Sequence, residues 1–71
     1  MLRRNIVKRI ISIRKFKRMS QEDLADNSSL DRTYISGVER MKRNLSVDTL
    51  DKILNGLRVS YNKFFKDISK G

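Results

Sequence analysis

The stretch Ser20-Gln21-Glu22-Asp23-Leu24-Ala25, continued by Leu30-Asp31-Arg32-Thr33-Tyr34-Ile35-Ser36-Gly37-Val38-Glu39-Arg40, decides how this chain folds. Ser20 followed by Asp23 predicts a capping box, in which a hydroxyl and a carboxylate each take one free amide of a helix start. Glu22 and Asp23 then lie at the positive end of the helix dipole. The helix runs from Gln21 to about Ser28, buries Leu24 and Ala25, and breaks in the cluster Asn27-Ser28-Ser29. Asp31 is a suitable N-cap for the next helix over residues 32–40, with Ile35 and Val38 on its inner side.

Leu30, Ile35 and Val38 follow Ala25 at offsets of five, ten and thirteen. These positions supply a small residue where two helices cross, an apolar residue in the turn, and branched residues that anchor the second helix from behind. Such a pattern describes a helix-turn-helix. Working outward, Ile6, Ile10 and Ile13 recur at helical spacing, with Val7 and Ile11 widening the stripe, so residues 3–17 are predicted as an amphipathic first helix. Asn44-Leu45-Ser46 reads as a loop ending in an N-cap, after which Val47, Leu50, Ile53, Leu54 and Leu57 trace a fourth helix. Ser60 caps a last short helix carrying Tyr61, Phe64, Phe65 and Ile68. The expectation is all-α: a compact five-helix single domain over residues 1–71, in which helices 2 and 3 form the helix-turn-helix.

Seventeen Lys and Arg against eight Asp and Glu give a net charge of +9, which favours a polyanionic partner through phosphate neutralisation. The charge is segregated. Residues 1–18 hold eight bases and no acid, residues 20–31 hold four acids and no base, and the segment from Arg32 to Arg43 turns basic again. With no cysteine and no histidine, a disulfide framework is excluded and neither a metal nor a cofactor is expected. No nucleophile–base pair stands out, so an enzyme is not expected. No apolar run approaches the roughly 18 residues that span a bilayer. A chain this short buries only roughly 60% of the surface its unfolded form exposes, so a partner subunit would add stability.

Over about residues 6–68 the chain resembles the lambda-repressor-like, or Xre, family. The run from Asp31 to Arg40, followed by Arg43-Asn44-Leu45-Ser46, is most similar to the controller proteins of bacterial restriction–modification systems. The resemblance implies a cytoplasmic, nucleoid-associated regulator of transcription. It implies a homodimer on a palindromic double-stranded DNA operator upstream of its own gene and the endonuclease gene, acting as activator, autorepressor or both. A small-molecule ligand and a membrane are not implied. A phage Cro-type or immunity-type repressor would share the same contacts, and the antitoxin of a toxin–antitoxin pair would need an extra segment to cover its toxin.

In a helix-turn-helix the first residues of the reading helix reach base edges in the major groove. Arg32 and Thr33 hold those places: arginine takes guanine O6 and N7 with two parallel hydrogen bonds, and threonine offers a methyl or a hydroxyl. Ser36 and Gly37 follow one turn on and are read as further base contacts. A glycine inside a helix costs about 1 kcal/mol relative to alanine, which close approach to DNA would explain. Tyr34 is read two ways, against the sugar-phosphate backbone or packed at the rim of the core. Arg40, Arg43 and Asn44, in and before the loop after the reading helix, are assigned to phosphates. The resemblance gives Gln21 the same role at the free amides of helix 2.

The resemblance also pairs Arg14 with Glu39 as a structural ion pair. Glu22 and Asp26, one turn apart, are read as a solvated acidic face or, by resemblance, as a contact for the sigma subunit of RNA polymerase. Tyr61, Phe64, Phe65 and Ile68 are either dimer contacts or part of the monomer's own core, since adjacent Phe64 and Phe65 are not easily buried by one face. Where many family members place glycine in a left-handed turn, this chain has Arg18, Ser29 and Arg58. Either those turns differ here, or each holds a strained residue at about 1–2 kcal/mol.

Overall fold

A computed structural model describes residues 2–66 of the chain. The described residues form α1 (Leu2–Phe16), α2 (Gln21–Ser28), α3 (Arg32–Glu39), α4 (Val47–Leu57) and α5 (Tyr61–Phe65). The expected elements are therefore all present, with α1 shifted by one residue and Arg40 serving as the C-cap of α3 rather than its last residue. Ser20 Oγ accepts the Asp23 amide at 2.9 Å, and the Ser20 amide donates to Asp23 Oδ2 at 3.0 Å, which closes the capping box of α2. Ser46 and Thr49 build a second box at the head of α4. Asp31 takes the extended geometry of an N-cap, but its carboxylate makes no capping hydrogen bond.

Four helices end in the same way. The amides of Met19, Leu30, Lys42 and Val59 each reach back to a carbonyl five residues earlier, on Arg14, Ala25, Gly37 and Leu54, and the intervening residue is left-handed. This hydrogen-bond pattern satisfies the free carbonyls at a helix end and usually recruits glycine. Here Arg18, Ser29, Met41 and Arg58 take φ values of 59°, 57°, 63° and 59°. The turns are thus the glycine-type turns, occupied by side-chain-bearing residues, and Met41 adds a fourth that the sequence did not reveal.

The core joins Val7 and Ile10 of α1, Leu24 and Ala25 of α2, Ile35 and Val38 of α3, Ile53, Leu54 and Leu57 of α4, and Phe64 of α5. Ile6, Ile13, Leu30, Leu45, Leu50, Val59 and Phe65 pack around it half-buried. Two expectations need correction. Val47 begins the apolar stripe of α4 yet is 78% exposed, because the stripe enters the core only from its second turn. Phe64 is fully buried in the monomer, so it is not available as a dimer contact. Phe65 lies half-buried against the Phe64 ring edge, with centroids 5.0 Å apart, which is how α5 accommodates two adjacent rings. Ile68 lies outside the described residues.

Helix α2 packs on both α3 and α4, and so sets where the reading helix stands. At its crossing with α4, Gly56 lies against Ser28 and the backbone of Asn27, too close for a side chain. The Ser28 hydroxyl is buried there without a hydrogen-bond partner.

Candidate nucleic-acid interface

The reading helix is anchored from behind by Ile35 and Val38, both 1% exposed, which turns its opposite side to solvent. On that side Arg32 and Thr33 are exposed and Ser36 is half-buried. Arg32 shares an open, polar groove of about 680 Å³ with Arg14, Ser20, Gln21 and Glu22, so the heads of α2 and α3 face a common space. In α2 the Ser20 hydroxyl is committed to the third amide of the helix. The two amides before it have no intrahelical acceptor, which favours an anion at this point.

Arg14 holds the scaffold of that groove. Its guanidinium donates to Glu39 Oε2 at 2.7 Å, to Glu39 Oε1 at 3.0 Å and to the Met19 carbonyl at 2.8 Å, with little of either charged side chain exposed. Gln21 joins the same network, its Nε2 donating to Glu39 Oε1 at 3.0 Å. The tail of α3, the start of α2 and the end of α1 are therefore fixed to one another by a single carboxylate.

One site residue, Gly37, lies elsewhere than the sequence placed it, and Tyr34 takes the second of its two expected places, packed against the protein itself. Gly37 is buried rather than exposed: the stem of Arg43 covers it, so it presents no surface to a base. Tyr34 is half-buried and its hydroxyl donates to the Asn44 carbonyl at 2.7 Å, with Thr49 Oγ1 3.0 Å away. Its proton is spent inside the protein instead of on a phosphate. Arg40, Arg43 and Asn44 are exposed beyond α3. Glu22 and Asp26 are exposed on α2.

Sequence reasoning missed the basic residues that fold back onto distant carbonyls: Arg9 Nη2 reaches that of Lys66 at 3.3 Å, and two others close on the loop after the reading helix and on α4. Arg3 Nη2 donates to the Arg43 carbonyl at 3.1 Å, tying α1 to the loop after the reading helix. Lys17 Nζ donates to the Leu57 carbonyl at 2.6 Å and to that of Arg58 at 3.3 Å, closing the C-terminus of α4. All three belong to the basic first segment, where one-dimensional charge says nothing of which cation folds back. The signal for Lys17 is the general attraction of a cation to a helix C-terminus.

This arrangement has relatives. A helix-turn-helix family model matches residues 10–64. Control protein C.MunI of a Mycoplasma species is 46% identical over 52 residues, which cover 73% of this chain and 70% of that protein. Control protein C.SmaI of Serratia marcescens is 40% identical over 58 residues, covering 82% and 69%. The chain belongs to the controller-protein family of helix-turn-helix proteins. Within that family, the solved structure of the wild-type restriction–modification controller C.Esp1396I superposes with a TM-score of 0.94 at 48% identity, covering 99% of this chain and 92% of that one. C.Esp1396I has been solved as a tetramer on its natural 35-base-pair operator and on a 19-base-pair DNA duplex. It has also been solved with a consecutive arginine, threonine and tyrosine replaced one at a time. Among the described residues no helix is long and apolar enough to cross a membrane.

Proposed function

We propose that this controller-family protein is a sequence-specific transcriptional regulator of a restriction–modification system, binding a palindromic operator as a dimer and reading each half-site with Arg32 and Thr33. The observation that carries the reading is the head of α3: two exposed side chains able to engage base edges, on a helix locked by Ile35 and Val38. This chain also carries Arg32-Thr33-Tyr34 in the order of the three residues replaced in C.Esp1396I. Ser36 lies one turn behind them as a further base contact. Gln21 with the open amides of α2, together with Arg40, Arg43 and Asn44, holds the phosphates on either side.

Tyr61, 46% exposed and stacked on Phe65 with ring centroids 6.1 Å apart, offers an aromatic surface for the partner protomer. Glu22 and Asp26 stand on exposed positions of α2, suited to a basic surface of RNA polymerase when the protein activates. Glu22→Gln with Asp26→Asn then abolishes activation in a reporter assay and leaves operator binding intact.

The test is selection of duplexes from a random pool by the purified protein, followed by titration of the selected duplex. A symmetric motif with a guanine in each arm is the expected result. Arg32→Ala costs about 1–3 kcal/mol and relaxes one base pair per half-site, whereas Arg43→Ala weakens all sequences alike. Failure to enrich any motif, with binding indifferent to salt, overturns the reading.

A further inference from the structure

Gly37 lies in the last turn of α3, buried under the loop that follows. A Cβ built there would stand 2.5 Å from Arg43 Cγ and 3.4 Å from Arg43 Cβ, so the stem of Arg43 fills the space any side chain at 37 would need. The carbonyl of the same residue accepts the amides of Lys42 at 2.7 Å and Arg43 at 3.2 Å. One residue therefore holds the loop twice, through its missing side chain and through its backbone oxygen. From the flanks, Arg3 and Tyr34 take the carbonyls of Arg43 and Asn44.

We infer that Gly37 is a positioning residue for DNA binding, the socket that seats Arg43 against the reading helix so that its guanidinium is set before DNA arrives. The inference rests on the reading of Arg43 as a DNA contact. Residues four apart share a helix face, so the seated stem lies on the row of α3 that carries Thr33, on the base-reading side. A long cationic side chain loses rotamer freedom when it binds, and one already seated loses less. A methyl group at 37 displaces Cγ of Arg43 and aims its guanidinium elsewhere, although the charge itself is unchanged.

The experiment compares Gly37→Ala, Arg43→Ala and the double variant, each shown to be folded by thermal melting, in titrations of the duplex selected by the wild-type protein over a range of salt. Gly37→Ala is expected to weaken binding several-fold and to make the log–log salt slope shallower by about 0.9, the loss of one phosphate contact. In the Arg43→Ala background it adds nothing. In the free protein, Gly37→Ala also speeds hydrogen exchange at the amides of Lys42 and Arg43. An unchanged slope, or a further loss in the Arg43→Ala background, overturns the inference, the latter because it would mean that the glycine itself meets the duplex. If Arg43→Ala alone leaves affinity and slope at the wild-type values, the assignment of Arg43 to DNA is wrong and the socket plays no part in binding; accelerated exchange in Gly37→Ala would still report the loop contact, separating the two failures.

Discussion

Arg14 and Glu39 meet as a two-pronged ion pair, Nε to Oε2 at 2.7 Å and Nη2 to Oε1 at 3.0 Å, between the end of the first helix and the last residue of the reading helix. A third guanidinium N–H, on Nη1, goes to the Met19 carbonyl and the carboxylate also takes Gln21, so both charges are well paired. Removing one partner strands the other in a nearly dry site, which costs about 3–5 kcal/mol. Arg14→Ala and Glu39→Ala should each lower the unfolding free energy obtained from urea titration by that measure. The double variant should lose clearly less than the two single losses added together, since the pair acts as one unit. Strictly additive losses would show that the two side chains do not depend on each other.

That pair illustrates what the sequence could and could not carry. Caps, apolar spacing and the small-residue pattern from Ala25 to Val38 are local, and they placed the first four helices within a residue or so at each end and the start of the fifth, which stops at Phe65, short of the Ile68 it was expected to carry. The outward pose of Arg32 and Thr33 followed from the buried partners Ile35 and Val38 on the same helix. Gly37 was misplaced, and the place of Tyr34 was left open, for a different reason. Both are decided by a loop that folds back from beyond Arg40, and no helical period encodes where the stem of Arg43 comes to rest. The fate of Phe64 and Phe65 was open for the same cause, because adjacent rings choose their sides only when α5 docks on the rest of the domain.

Two exposed groups give stability a modest dependence on pH. The amide of Ser20 and its hydroxyl hold the Asp23 carboxyl below its ordinary value of 3.8. A carboxyl depressed by folding contributes stability that is complete above its ordinary value and disappears as pH falls through the depressed one. The hydrogen bond to Asp51 raises the Tyr61 hydroxyl above its ordinary 10.0, so its contribution is complete below that value and is lost as pH rises through the raised one. Asp23→Asn and Tyr61→Phe should therefore differ from the wild type at neutral pH. The first difference narrows on the acid limb and the second on the alkaline limb of the urea-midpoint profile. A constant offset across either limb would rule out the corresponding linkage.

Arg58 occupies a left-handed turn at φ 59° that glycine would adopt without steric conflict. The strained conformation costs about 1–2 kcal/mol for a residue with a side chain, while glycine gives back about 0.4–1 kcal/mol through the greater freedom of the unfolded chain. The bond that matters at this position is the one from Lys17 to the Arg58 carbonyl, and the backbone retains it whatever the side chain. Arg58→Gly should raise stability by up to about 1 kcal/mol and leave operator affinity unchanged. A loss of stability would mean that the Arg58 side chain has a role in the fold beyond its turn.

At the crossing of α2 and α4, Gly56 and Ser28 are bound to one another by lack of room. A Cβ at 56 would collide with the Ser28 hydroxyl and stand 3.1 Å from the Ser28 nitrogen and 3.2 Å from the Asn27 carbonyl carbon. Overpacking of this kind costs about 1–3 kcal/mol, and because two of the three neighbours are backbone atoms, the local structure has little freedom to yield. Alanine recovers about 1 kcal/mol of helix propensity, so Gly56→Ala should still destabilise, by about 1–2 kcal/mol. Ser28→Ala should act in the other direction, since it removes a buried hydroxyl that has no partner, a group that costs about 1–3 kcal/mol to desolvate. Combining the two should shrink the penalty of Gly56→Ala, because the nearest obstructing atom is gone. If the penalty persists at full size in the Ser28→Ala background, the approach of the two helix backbones, and not the hydroxyl, sets the demand for glycine.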